Sequence, residues 1–141
     1  MSITIKNSQE SSVEIGYFGF YKLRRKIAEL AAPDIFNAYS MLPDIKSEDE
    51  KKNYNQYLNR LEKKYSGDSR SLVLEFLYAS DCDGKMDAEH CQAVYDLIKN
   101  CGDKTQYGYV ERAMWDIPAT IATFADLLRE AVEDGEGIEW Y

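Results

Sequence analysis

Ile3 and Ile5 alternate with Thr4 and Lys6, and Val13, Ile15 and Tyr17 alternate with Glu14 and Gly16. A period of two is that of a strand with one buried face, so each segment predicts a short strand. The polar stretch from Asn7 to Ser12 reads as the connection of a hairpin. At the far end, Ile138 and Trp140 alternate with Glu139 and Tyr141, just after Gly135-Glu136-Gly137. A two-stranded hairpin is marginal alone, so this third strand is expected to join it and bring both termini into one small sheet.

Between these ends the apolar residues recur with the helical period. Phe20, Leu23, Ile27, Leu30 and Ala31 form one stripe, with Lys22, Arg24, Arg25 and Lys26 assigned to the solvated face and Pro33 as the stop. Ile35, Ala38, Tyr39 and Leu42 predict a short helix that ends before Pro43. Ser47 with Glu50 makes a capping box for a helix carrying Tyr54, Tyr57, Leu58, Leu61 and Tyr65, closed by Gly67. Ser71 to Ala79 is almost wholly apolar, and its Leu and Glu content favours a helix over a buried strand. Asp87 is a natural N-cap for a helix with Cys91, Val94, Tyr95, Ile98 and Cys101 inward, and Gly102 past its end. Thr123 with Asp126 is expected to open a last helix that buries Phe124, Leu127, Leu128, Ala131 and Val132 and stops at Gly135. Lys104 to Ala122 carries no clear period: Tyr107–Val110 fits strand or loop, and Asp116-Ile117-Pro118 reads as a turn.

The pattern predicts a single α+β domain over residues 1–141, with a three-stranded antiparallel sheet formed by both chain termini and packed against about five helices. The expected core is Ile3, Ile5, Ile15, Leu23, Ile27, Leu30, Leu58, Leu61, Leu72, Phe76, Leu77, Val94, Ile98, Phe124, Leu128 and Trp140. At 141 residues the chain is long enough to bury such a core without a metal or a disulfide. Cys82, Cys91 and Cys101, spaced nine and ten residues apart, match no zinc pattern and leave one thiol over in any pairing. No apolar run is long enough to cross a membrane and no secretory leader is visible, so the expected location is cytoplasmic, with no membrane partner.

One short pattern carries a chemical mechanism. Asp81-Cys82-Asp83-Gly84-Lys85-Met86-Asp87 resembles the middle of an EF-hand calcium loop. With Gly84 at the sixth position, Asp83 and Asp81 fall on the fifth and third ligand positions. The first and twelfth positions are then Ala79 and His90, neither of which suits calcium. Asp81, Asp83, Asp87 and Glu89 are the calcium candidates of a degenerate loop over residues 79–90, set against an ordinary Asx turn followed by an Asp N-cap. The turn reading uses every residue without a metal, so no cofactor is expected and calcium is the alternative.

Catalysis finds little support. The chain has one histidine, and on a helix its neighbour Cys91 points away from it; only Cys82 is placed to fold back toward His90. No phosphate-cradling glycine loop is present. The expectation is a protein that is not an enzyme.

Charge sharpens the picture. Residues 1–66 carry 11 basic and 9 acidic side chains, a net of +2, whereas residues 67–141 carry 6 and 16, a net of −10. Such a field repels nucleic-acid phosphates and attracts basic proteins. The function expected is therefore a small acidic, non-catalytic protein-binding module, an inhibitor, immunity-type or regulatory protein of bacterial or phage kind. Its partner would be a protein with a basic surface, not a nucleic acid. Asp126, Glu130, Glu133 and Asp134 on the last helix are the candidate contact residues. A calcium-responsive domain is the alternative, and an acidic nucleic-acid mimic that blocks a basic enzyme is a further one.

Overall fold

β1 (Ser2–Asn7) and β2 (Ser12–Gly16) pair in antiparallel register, Ile3 against Ile15 and Ile5 against Val13, and β6 (Ile138–Trp140) pairs with β1 on the other side, Ile5 against Trp140. These are the three strands expected from the alternation. The structure, a computed structural model that describes residues 2–141, extends them to a six-stranded antiparallel sheet. β3 (Gly84–Met86) adds to the free side of β6, and the hairpin of β4 (Gly108–Glu111) and β5 (Asp116–Ala119) adds to β2, giving the order β3-β6-β1-β2-β4-β5. The three-stranded expectation is thus corrected to six. The added strands are only three or four residues long and carry glycine, proline and charge, so hydrophobic alternation cannot reveal them.

Ile3, Ile5, Val13, Ile15, Ile138 and Trp140 are buried, whereas the alternate residues Thr4, Lys6, Ser12, Glu14 and Glu139 are not. The helices therefore cover one face of the sheet. On the open face Lys85 and Lys6 flank Glu139 across three strands, opposite charges set side by side.

Six α-helices supply the covering layer: α1 (Tyr17–Ala31), α2 (Pro33–Met41), α3 (Glu48–Lys64), α4 (Ser69–Leu77), α5 (Ala88–Ile98) and α6 (Ile121–Glu133). The capping box of α3 forms as its sequence predicts, with Glu50 N donating to Ser47 Oγ at 3.1 Å and Ser47 N to Glu50 Oε1 at 3.1 Å. Gly67 and Gly135 take the left-handed conformation after α3 and α6, at φ +82° and +66°. Two boundaries move. Tyr17 begins α1 and does not end a strand, and α6 starts with Thr120 as its N-cap, Thr120 N donating to Thr123 Oγ1 at 3.1 Å.

The buried residues form one contiguous cluster, and of the expected core only Leu30, Leu58 and Leu72 are partly exposed. Much of the tyrosine content is structural: Tyr39, Tyr54 and Tyr65 are buried, and Tyr54 donates from its hydroxyl to Ala38 O at 2.7 Å. Arg24 departs furthest from its sequence assignment. It is 3% exposed, not on the solvated face, and its guanidinium lies 4.0, 5.2 and 5.6 Å from the ring centres of Phe20, Phe76 and Trp140.

Candidate protein-contact surface

The calcium-like segment takes its shape from this buried arginine. Arg24 donates from Nη1 to Ala79 O at 3.0 Å and from Nη2 to Ser80 O at 3.1 Å, and Trp140 Nε1 donates to the same Ser80 oxygen at 2.7 Å. Two core side chains thus pin the chain as it leaves α4. Burial pushes the Arg24 pKa down, with Tyr39 and Asp81 acting weakly against it, and Nε has no partner among the described residues. Gly84 is not in the left-handed conformation of an Asx turn. A Cβ there would stand 2.3 Å from Trp140 Cζ2, so glycine is required because the indole lies against it.

From Gly84 the backbone extends as β3 and does not coil around a centre. Asp87 turns to cap α5, accepting from His90 N at 3.0 Å. Among the described residues, no three His, Cys, Asp or Glu side chains gather at metal-binding spacing, so Asp81, Asp83, Asp87 and Glu89 are not brought together as ligands.

His90 lies in an open cleft of about 750 Å³ bordered by α4, α5 and the ends of β1 and β6. Its Nδ1 meets Asp87 Oδ1 at 2.6 Å and its Nε2 meets Glu75 Oε2. Desolvation alone would lower its pKa, but the hydrogen bonds of the ring to Glu75 and Asp87 outweigh it and raise the pKa above the ordinary value. With both ring nitrogens engaged, His90 is a clamp between α4 and α5. Cys91 is buried and its thiol is pushed up to about 12 by desolvation, the opposite of an activated nucleophile. Of the other charges of this cleft, Lys6 meets Glu10 at 2.8 Å, and Glu139 lies between Lys6 and Lys85 in the sheet register.

The sheet edge at β4–β5 is different. Arg112 N donates to Trp115 O at 3.1 Å, closing the turn that joins the two strands. On this turn Met114 is 84% and Trp115 66% exposed, with Ile117 beside them on β5 also exposed. Beneath the hairpin a second cleft of about 380 Å³ separates it from α6. Its lining includes Val110 and the nearly buried Val13 and Leu127, the carboxylates of Glu10, Glu111, Asp126 and Glu130, and the guanidinium of Arg112.

The four acidic candidates of α6 divide here. Asp126 and Glu130 line the cleft, while Glu133 and Asp134 do not. Glu130 accepts from the buried Asn7 Nδ2 at 3.2 Å, and Asp134 from Ser8 Oγ at 2.9 Å. Glu133 pairs with Arg129 at 3.0 Å, and Asp126 stands 3.9 Å from the same guanidinium. The exposed side chains of the hairpin escaped sequence reading because Lys104–Ala122 has no period. The adjacent Met114-Trp115, apolar residues among charged neighbours, was the available signal. Comparison with family models, with curated proteins and with solved structures returns no match.

Proposed function

We propose that this protein is a non-catalytic protein-binding module, of the inhibitor, immunity-type or regulatory kind. It engages a partner with a basic surface through the β4–β5 turn and the neighbouring acidic side of α6. The observation that carries this reading is the exposure of Met114 and Trp115 on one turn, at 84% and 66%. The same chain buries its other tryptophan to 1% exposure. Tryptophan is enriched where binding energy concentrates, because it contributes a large rigid surface that loses little entropy on contact. Methionine beside it adapts to the shape of a partner. The carboxylates of Glu111 and Asp126 nearby match a basic surface and steer it in.

The test compares wild type with Met114→Ala/Trp115→Ala as bait in extract of the native host. The supporting result is a basic protein retained by wild type, lost with the variant and re-bound as a purified pair, while both baits melt at the same temperature. Identical retention by both baits would remove the hairpin from the contact.

A further inference from the structure

We infer that α3 is a hinged flap, which lifts from α2 and from Tyr78 as one unit while the sheet and the other helices stay folded. The inference goes beyond the protein-contact reading and concerns a different part of the molecule. Of the 17 residues of α3 only Tyr54 and Leu61 are buried, whereas α6 buries six of its 13. Little apolar surface is therefore exposed when α3 leaves, and that surface sets much of the cost of opening. Side-chain hydroxyls fasten it instead. Tyr54 donates its one proton to Ala38 O at 2.7 Å and so accepts from the Tyr78 hydroxyl at 2.6 Å. At the other end Tyr65 Oη donates to Asp34 Oδ1 and Lys64 Nζ to Asp34 Oδ2, both at 2.7 Å. This lysine is exposed, so its ion pair adds little. Among the described residues, the backbone of α3 bonds outside the helix only to its neighbours Ser47, Tyr65 and Ser66. The chain enters through residues 42–47, exposed except for Ile45, and leaves through Gly67, left-handed and with no atom within 4 Å of where a Cβ would stand. Both flanks have room to turn. Lifting frees the Ala38 carbonyl and the Tyr78 hydroxyl and bares the apolar side of α3. A lone helix of this length is marginal in water even with its capping box, so lifting registers as amide exchange.

Hydrogen exchange of the full chain, followed by mass spectrometry of peptides from α3, α6 and β1, tests this. The α3 amides should open at least about a hundredfold more often than those of α6 and β1, and with little dependence on added urea. Two conservative variants then separate local from global opening. Tyr54→Phe keeps the ring and removes both hydroxyl bonds, and should raise the opening of α3 by about tenfold. Ile5→Val thins the fully buried sheet face. It should raise the opening of α6 and β1 by about fivefold and leave α3 within about 1.5-fold of wild type, because the flap lifts with the sheet intact. Equal opening of α3 and α6 in wild type would overturn the inference and make α3 part of one cooperative unit. So would an Ile5→Val chain in which α3 accelerates as much as α6, or an α3 whose opening is unmoved by Tyr54→Phe.

Discussion

Arg24 lies one turn after Phe20 and three residues before Ile27, on the stripe that α1 turns toward the core. Its neighbours Lys22, Arg25 and Lys26 disguise it as part of a solvated basic face, yet its spacing from Phe20, Leu23 and Ile27 is that of a buried position. Periodicity was legible here, and residue type misled, because a charged group is seldom buried without a paired carboxylate. Three aromatic faces and two carbonyls take the place of that carboxylate. Lysine cannot fork to both carbonyls or lie flat on the rings, so Arg24→Lys should cost about 2 kcal/mol through the orphaned acceptors, measured by urea unfolding. A variant within a few tenths of wild type would mean that water replaces the guanidinium without loss.

His90 carries the second prediction at this scale. Its pKa is raised in the folded state, so the stability it contributes is complete below its unfolded value near 6.5 and is lost as pH rises through the folded value. The groups that face it are Glu75 from α4 and Asp87 before α5, and the Asp87 carboxyl is itself held below its ordinary value by its hydrogen bonds with His90. Wild type minus His90→Gln stability should therefore shrink as pH rises above about 6.5, followed by urea midpoints. A difference that is flat in pH would show that the imidazolium gains nothing from its two carboxylates.

Elements were legible in proportion to their length and periodicity. The helices α3 and α5 were readable from their caps, Ser47 with Glu50 and Asp87, because capping is a local interaction encoded within one turn. β6 was readable from two residues because alternation survives even in a short strand. β3, β4 and β5 were not, since each is held by partners distant in sequence: Gly84 by Trp140, Gly108 by Ile15, Pro118 by Tyr109. The candidate site suffered most from this, because one wall of its cleft is the unreadable hairpin.

Removing residues 137–141 takes away Ile138 and Trp140, each buried and worth about 2 kcal/mol by transfer. It also strips the partner from β3 and from one side of β1 and leaves the Ser80 carbonyl with Arg24 as its one donor. The truncated chain should melt well below the full chain or fail to fold. A melting temperature within a degree of the full chain would refute the central place of β6.

At the scale of the whole molecule the charge asymmetry was legible by counting, but its use was not. A carboxylate reads the same in the sequence whether it holds a buried side chain, as Glu130 holds Asn7, or faces solvent with only a long contact to Arg129, as Asp126 does. Only the fold separates internal ties from free charge. Reversing Asp126 and Glu133 to lysine should slow association with a basic partner and leave folding nearly untouched, as exposed helix pairs contribute little. The slowing should fade as salt rises, because the Debye length falls to about 8 Å at physiological ionic strength. Equal association rates for both proteins at low and high salt would leave the acidic half with a solubilising role alone.

The order of the strands also bears on how the chain is made. β6 is inserted between β1 and β3, and both the amide and the carbonyl of Tyr141 bond to Thr4. During vectorial synthesis the hairpin of β1 and β2 emerges before the helices and must wait, one edge unpaired, until β6 follows. An open apolar edge of this kind invites pairing with a neighbouring nascent chain. β6 therefore acts as the stopper that ends this exposure, and a ribosome stalled shortly before it would hold a chain with most of these helices formed and its sheet still open.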